Sequence, residues 1–295
     1  MLDFLLSLFK KTQQDIASSA FANLPIATII INECGVIEQA SDGIIDLTGY
    51  VKDELVGKNM SFFKSGKHNH AFYKALWTKL TSLDRFSFEV YNKKKSGKVV
   101  LIKSHIKNFQ QNGKKYFLVT QEDITKEDKL FKRQKYLATH DQLTGLANRT
   151  LLHDRYEHAV SNSKRNYSKL LILLCDLNEF KQINDDYGHN FGDLVLKEVS
   201  DNLSSIVREG DTVARYGGDE FIIIVENFKN SQEVLDLVKN IKSQSNIVVN
   251  NGEVSCPVTM SIGHATFPDA GVTFEQLVAV ADIKMYENKN NYYRY

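Results

Sequence analysis

Proline is scarce, at three in 295 residues, and Trp77 is the single tryptophan. So little proline argues against a disordered or fibrous chain. The three cysteines, Cys34, Cys175 and Cys256, are odd in number and far apart. This excludes a disulfide framework and a zinc site of paired cysteines, and they read as reduced, buried thiols of a cytoplasmic protein. No long hydrophobic run is evident either. The strongest near a motif, Leu170 to Cys175, has the length of a buried strand and falls far short of the ~20 residues a spanning helix needs, so no transmembrane segment is expected. The opening MLDFLLSLFKK carries an acid, Asp3, before its apolar run and no small-residue cleavage site. It reads as an amphipathic helix over residues 1–20, not a secretory signal. Net charge is nearly absent, since 37 Lys and Arg against 36 Asp and Glu leave +1. That excludes nucleic acid as a primary partner, because its binders gather Lys and Arg into a strongly basic face.

What is present is a folded chain, 42% hydrophobic and long enough for two domains, each with its own core. From Ile26 to Ile31 an apolar run ends at Asn32-Glu33-Cys34-Gly35 and resumes at Val36-Ile37, the pattern of a hairpin. Helical segments are expected around Ile44 to Thr48 and Ala71 to Leu80. Strands are expected near Phe86 to Tyr91, Val99 to Ile106 and Tyr116 to Thr120, parted by turns at Ser96-Gly97 and Asn112-Gly113. This order, with Gly35-Val36-Ile37, Leu47-Thr48-Gly49-Tyr50, Glu54-Leu55-Val56-Gly57 and Glu122-Asp123-Ile124-Thr125, resembles a PAS domain over residues 21–125.

Residues 126–140 then form a charged stretch free of Gly and Pro. Ile124, Phe131 and Ala138 stand seven apart, as do Leu130 and Leu137. A short heptad helix is expected, pairing two copies of the chain and carrying a signal onward. Beyond it the pattern alternates: a strand Lys169 to Asp176, helix to about Glu209, strands Thr212 to Tyr216 and Phe221 to Val225, and a helix Ser231 to Lys242. A hairpin at Asn251-Gly252, a strand Val258 to Thr266 and a last helix follow. Thr273 with Gln276 forms a capping box that starts the last helix. The fold class is α+β, and the second domain has the ferredoxin-like order.

The chemistry concentrates at Gly217-Gly218-Asp219-Glu220-Phe221, between two strand segments where a hairpin must turn. Glycines permit positive φ and let a phosphate approach the backbone. Two adjacent carboxylates at an exposed tip would only repel each other as structure, but they suit a magnesium ion beside a triphosphate. Asp176 ends LLILLC and so places its carboxylate at the edge of a buried strand. A helix should begin just after it, so the N–H groups near Glu179, Phe180 and Lys181 face phosphate. Read singly, Asp176 is equally an N-cap and the Gly-Gly turn equally an ordinary hairpin.

Five segments together resolve that ambiguity. Asp141-Gln-Leu-Thr-Gly-Leu-Ala-Asn148-Arg149, Asp176-Leu-Asn-Glu-Phe-Lys-Gln-Ile-Asn184-Asp185-Asp186-Tyr-Gly-His189, Gly192-Asp193, Arg215-Tyr-Gly-Gly-Asp-Glu-Phe221 and Ala281-Asp282-Ile-Lys-Met-Tyr286 resemble the signature segments of the GGDEF family. The second domain, 141–295, is thereby identified as a nucleotidyl-cyclase GGDEF domain. The resemblance implies a diguanylate cyclase that joins two GTP into cyclic di-GMP with release of pyrophosphate, working as a homodimer. It implies Mg2+, with Mn2+ as a substitute, held by Asp176, the Leu177 carbonyl, Asp219 and Glu220, the last two also being the catalytic carboxylates. It assigns guanine recognition to Asn184 and Asp193, and the triphosphate to Phe180, Lys181, Gly217, Gly218 and Lys289. Arg208 and Asp211, five residues short of Gly217, match an RxxD site for inhibition by the product; without the family they read as a solvated pair.

The chain departs from the family at Asn178, where a second aspartate is common, and at its end. There Asn290-Asn291-Tyr292-Tyr293-Arg294-Tyr295 replaces a Gly-Arg-Asn-Arg run, leaving Arg294 in a shifted register. The rival reading is therefore a catalytically weak or silent receptor for cyclic di-GMP or GTP. In the first domain Ser41 stands where asparagine is common. Lys64-Ser-Gly-Lys with Phe72-Tyr73 and Leu76-Trp77 is similar to flavin-binding PAS domains, which keeps FAD as an option. His68 and His70 read as surface histidines of a polar turn ahead of haem ligands. The default is an empty pocket or a dimerisation module, and Trp77, Phe62, Phe63, Phe86 and Phe88 read equally as plain core and as part of a ligand pocket.

Overall fold

The computed structural model of the chain describes residues 15–228 and 231–292. Much of the helix expected over residues 1–20 lies outside them, as does Arg294; residues 15–22 are helical, α1. The chain divides into two compact units between Lys132 and Arg133.

The first unit rests on a five-stranded antiparallel sheet of order β2-β1-β5-β4-β3. Its strands are β1 (Ala27–Asn32), β2 (Ile37–Ala40), β3 (Arg85–Lys93), β4 (Val99–Gln111) and β5 (Lys114–Asp123). Between β2 and β3 lie α2 (Gly43–Thr48), α3 (Lys52–Leu55) and α4 (His70–Ser82). The hairpin turn closes because Gly35 adopts φ 76° and the Asn32 carboxamide accepts the N–H groups of Cys34 and Val36. Ile29, Ile31, Ile102, Phe117 and Val119 line one sheet face and pack with Phe63 and Leu80. Ser41 is wholly buried, accepting from the Thr28 N–H at 2.9 Å and donating to the Ile26 carbonyl at 2.8 Å, so here it is a structural pin.

Two expectations fail in this unit. Cys34 is exposed on the hairpin turn, where the polar run leaves nothing to cover it, whereas Cys175 and Cys256 are buried as expected. The aromatic residues are not uniformly core: Phe63 is 1% exposed, but Phe62 is 42% and Trp77 is 36%.

The second unit is a four-stranded antiparallel sheet of order β11-β6-β8-β7, the ferredoxin-like arrangement. The strands are β6 (Lys169–Leu177), β7 (Thr212–Gly217), β8 (Glu220–Phe228) and β11 (Met260–Phe267). A separate hairpin pairs β9 (Ile247–Asn250) with β10 (Ser255–Val258), so Val258 belongs there and not to the last strand. The helices are α6 (Arg149–Asn166), α7 (Phe180–Tyr187), α8 (His189–Ile206), α9 (Ser231–Gln244) and α10 (Phe274–Tyr292). The Thr273 and Gln276 capping box forms at the start of α10. Central strand β6 is apolar from Leu170 to Cys175 because it is covered twice: Leu171, Leu173 and Cys175 pack toward α8 and α9, while Leu170, Ile172 and Leu174 pack toward α6 and α10.

Helix α6 was not among the expected elements. Its buried positions Leu152, Tyr156, Ala159, Val160 and Ser163 do carry helical spacing. Many charges and polar residues between them mask that signal. Between the units runs α5 (Thr125–Thr139), which buries none of its side chains.

Candidate functional site

Strand alternation decides where Asp176 points. Two residues beyond Leu174, it shares the face covered by α10, and in the ladder it stands directly opposite Glu220 on β8 and Ser261 on β11. Asp219 is the last residue of the turn before β8, and its carbonyl accepts the Leu177 N–H at 3.3 Å. The three acids therefore gather where β6 and the β7–β8 turn meet, and none of them sits on an exposed tip: Asp219 and Glu220 are half-buried. Burial, then the charge of Asp176, pushes the Asp219 carboxyl above its ordinary value. Glu220 is raised by burial and by Asp176 and Asp219.

One cation already answers this charge. The Lys289 ammonium donates to Asp176 Oδ1. It reaches there because α10 lies unusually close to β11: a Cβ at Gly263 would come within 1.9 Å of the Ala281 carbonyl oxygen and 2.5 Å of the Met285 nitrogen. Only glycine admits that approach. Among the described residues no three acidic, histidine or cysteine side chains stand close enough to enclose an ion. Nevertheless, paired carboxylates of raised proton affinity, with the Leu177 carbonyl beside them, have the donor chemistry that suits a hard divalent cation.

The turn itself is clamped by residues to which sequence reasoning assigned no role. Arg215 donates from Nε and Nη2 to the Gly218 carbonyl at 2.9 and 2.8 Å, and from Nη1 to Asp141 at 3.1 Å. Burial works against ionising Asp141, but the Thr144 hydroxyl and N–H and then Arg215 outweigh it and hold its pKa below the usual value. From the other side Arg149 donates to the Tyr216 carbonyl and lies over the Tyr216 ring, 4.3 Å from its centroid. A Cβ on Gly217 would come within 2.9 Å of the Arg149 guanidinium, while Gly218 takes φ 52°. The two glycines thus serve different needs, close approach and positive φ.

On the far side of β6, α7 and α8 meet at Gly188, with φ 82°. Phe180 begins α7 half-buried and Lys181 follows it exposed. Asn184 lies so close over Gly192 that a Cβ there would come within 2.0 Å of its Oδ1. The Gly192 of the Gly-Asp pair is what lets the Asn184 amide lie beside exposed Asp193. Asn178 is buried, donating to Thr259 Oγ1 at 2.9 Å and accepting from Ser261 Oγ at 2.8 Å. An aspartate could not donate there, so the variation at this position ties β6 to β11.

Residues 138–293 match the family described as "Diguanylate cyclase, GGDEF domain". The chain belongs to the GGDEF family. Residues 25–126 also match a PAS domain family. The GGDEF half is 40% identical over 157 residues to the bifunctional diguanylate cyclase/cyclic di-GMP phosphodiesterase MucR of Pseudomonas aeruginosa, covering 52% of this chain and 22% of that protein. It is 37% identical over 152 residues to the diguanylate cyclase DosC of Escherichia coli, 50% of this chain and 32% of that one. A longer match, 28% identical over 276 residues, joins 89% of this chain to 40% of the Escherichia coli cyclic di-GMP phosphodiesterase PdeR. The chain therefore spans less than half the length of these relatives. Among solved structures, a sensory box/GGDEF family protein from Caulobacter crescentus superposes with TM-score 0.50 at 33% identity, covering 52% of this chain and 98% of that one. The coiled coil and GGDEF domain of DgcB from the same organism matches in fold, with TM-score 0.52 at 23% identity over 57% of this chain and 89% of that one.

At the RxxD pair of this GGDEF domain the Asp211 carboxylate accepts the backbone N–H groups of Arg208 at 3.1 Å and Glu226 at 3.4 Å. It is therefore a loop cap in this structure, not one half of a solvated ion pair. Arg208 is exposed beside it and shares an open cavity of about 430 Å³ with Arg155 and His140. In the PAS unit His68 is not a plain surface histidine. It stacks on Phe72 at 4.0 Å and accepts the Tyr91 N–H at Nε2, 3.1 Å, so that nitrogen is already committed. His70 remains exposed. No helix among the described residues is long and apolar enough to cross a membrane.

Proposed function

We propose that the chain is a Mg2+-dependent diguanylate cyclase, converting two GTP into cyclic di-GMP and two pyrophosphates as a homodimer. The observation that carries this reading is the register that sets Asp176 opposite Glu220, with Asp219 next to Glu220 on a clamped turn. Asp176, the Leu177 carbonyl, Asp219 and Glu220 would hold the metal, which when bound lowers the barrier to attack at the α-phosphate by neutralising its charge. Asn184 and Asp193 read guanine, since a carboxylate accepts from its ring N–H and exocyclic amine, groups that adenine does not present together. The N–H groups at Phe180 and Lys181 and the backbone of Gly217 and Gly218 receive the phosphates. Lys289 moves its ammonium from Asp176 to the triphosphate when metal and substrate arrive. In each active site the 3′-hydroxyl oxygen of one GTP attacks the α-phosphorus of the other. A carboxylate of Asp219 or Glu220 takes the hydroxyl proton, and the bond to pyrophosphate breaks.

Two facing subunits are required, and α5 supports pairing because Leu130 and Phe131 are 62% and 67% exposed on it. Its first residue is fixed to the PAS unit, where Thr125 Oγ1 accepts the Leu101 N–H and donates to Asp123. Its last turn is fixed to the GGDEF unit, where Asn148 donates to the Ala138 and Thr139 carbonyls. Arg208 is the anchor for product inhibition; Arg208→Ala relieves inhibition by added cyclic di-GMP, and unchanged inhibition would sink that assignment.

The deciding assay incubates protein with GTP and Mg2+ and measures cyclic di-GMP and pyrophosphate, beside a Glu220→Gln control. Product that vanishes in the control supports the cyclase. The second reading, a silent GTP or cyclic di-GMP receptor, is favoured by one observation: the relative matched over most of this chain carries the name of a phosphodiesterase. Bound GTP without turnover would establish it.

A further inference from the structure

Lys289 reaches the acids of the turn from a helix that is pinned in place. Ala281 and Met285 of α10 rest on Gly263, where no Cβ would fit. Lys284 donates to the His264 carbonyl at 3.0 Å and, one turn on, Asn288 donates to the Ile262 carbonyl at 2.9 Å, so consecutive turns of α10 are tied to alternate residues of β11. Lys242 of α9 donates in turn to Asn288 Oδ1 at 3.2 Å. The next residue is thereby delivered to Asp176 Oδ1, and the ion pair it makes is sheltered, with the Lys289 and Asp176 side chains 28% and 13% exposed. Such shelter removes much of the solvent screening that makes surface pairs weak.

The charge around this pair is lopsided. Asp176 raises the proton affinity of both Asp219 and Glu220, and Asp282 on α10 adds to the effect at Glu220. Arg215 and Arg149 oppose that crowding from the turn side, where Arg215 is bonded to Gly218 and Asp141 and Arg149 to the Tyr216 carbonyl. Lys289 opposes it in the midst of the acids, and on a carboxylate oxygen that a divalent cation would also seek. An ion held there would meet the ammonium at close range, and like charges repel strongly in a half-buried site. A triphosphate changes the balance because it offers the ammonium a second anion.

We propose that Lys289 is a built-in counter-ion that occupies the cation-binding side of Asp176 until a triphosphate draws it away, so that the cation alone binds weakly and cation and nucleotide bind with positive coupling. The inference rests on the metal assignment made under Proposed function and adds to it a control on when the site opens. Linkage makes the effect reciprocal: the factor by which nucleotide tightens the cation is the factor by which the cation tightens nucleotide. In the free protein Lys289 therefore guards the acids against a stray ion, and the pinned seat of α10 keeps it there.

The test uses the full chain with Mn2+ and no nucleotide, the bound ion being counted from the loss of the free Mn2+ paramagnetic resonance signal. Lys289→Gln should bind Mn2+ about tenfold tighter than the parent, whereas Lys289→Arg, which keeps the charge, should not. With Asp176→Asn also in place the gain should vanish. A folded Lys289→Gln variant that binds no tighter than the parent overturns the proposal and leaves the metal assignment standing. Absence of Mn2+ binding in every protein, even with the α,β-methylene analogue of GTP present, overturns both. Calorimetry confirms that each variant keeps its GGDEF transition, and a measurement on the parent needs no variant at all. Reductive methylation mapped by mass spectrometry should label Lys289 faster in saturating Mn2+ than in chelator, relative to Lys284 on its carbonyl; an unchanged ratio also overturns the proposal.

Discussion

The two units spend their polar groups in opposite ways. In the GGDEF unit the cations around the turn are answered by neighbours, Lys289 by Asp176, Arg215 by Gly218 and Asp141, Arg149 by Tyr216, while Asp219 and Glu220 are crowded by like charge. In the PAS unit, among the described residues, the buried Gln121 Oε1 and Tyr73 hydroxyl have no hydrogen-bond partner, and neither Lys64 nor Lys74 is in an ion pair. A site organised before its substrate arrives lowers the cost of positioning. Buried polar atoms without partners instead make the PAS unit the one with the larger unmet polar cost.

The comparison breaks first, and hardest, at the acids. Glu220→Gln should lower cyclic di-GMP formation by about a thousandfold while leaving the PAS transition unchanged, as product assays and calorimetry on one preparation will show. Next is Gly263→Ala. The added methyl meets the Ala281 carbonyl and forces α10 off β11, at about 3 kcal/mol. Calorimetry should show the GGDEF transition fall while the PAS transition holds; a shift of both together would mean the units melt as one.

Arg215→Ala should cut turnover by about ten- to a hundredfold with the fold retained, because it frees the Gly218 carbonyl without emptying a core. An Arg215→Lys variant tests whether the forked geometry matters, since a single ammonium cannot reproduce the contacts to Gly218 and Asp141. In the other unit, Ser41→Ala removes the acceptor for the buried Thr28 N–H and should cost about 1–2 kcal/mol, this time in the PAS transition alone.

The smallest effect is on pH dependence. Because Asp219 and Glu220 have raised pKa values in the folded state, the metal-free GGDEF unit binds protons more tightly than its unfolded chain. Its stability should therefore fall as pH rises from the ordinary carboxylate range through the raised folded values, then level off. Asp141, whose folded pKa is lowered, contributes with the opposite sign: its stabilisation is full above the ordinary aspartate value and is lost as pH falls through the depressed one. Melting curves of Asp219→Asn and Asp141→Asn across the acid range separate the two slopes, and both Asp219 and Glu220 contributions should shrink when Mg2+ is present.

Much of this organisation was legible in the chain. Adjacent glycines before adjacent acids called for a phosphate-facing turn, and the apolar run before Asp176 called for a buried strand ending in a carboxylate. The misses have physical causes. Helix α6 hides its apolar stripe, Leu152, Tyr156 and Ala159, under dense charge, so its amphipathic period was overlooked. Arg149 and Arg215 were visible as motif residues, but their targets are the backbone carbonyls of Tyr216 and Gly218, which carry no sequence signature. Asn178 read as a departure from the family's second aspartate, and its bonds to Thr259 and Ser261 make it a tie between the ends of neighbouring strands.

By itself the sequence determined the two-domain plan, most of the strand and helix order and the chemical identity of the carboxylate turn, because periodicity, turn residues and side-chain chemistry are local properties. Only the tertiary structure decided which charges meet. The pairing register of β6 with β8 and β11, and the close seat of α10 on Gly263, bring Glu220 and Lys289 to Asp176 across 44 and 113 residues of chain. The same is true of the PAS unit, where Tyr73 on α4 and Gln121 on β5 line one cavity. Residues so far apart in the chain meet only when strands pair and helices pack, because those contacts depend on the whole fold and not on local sequence.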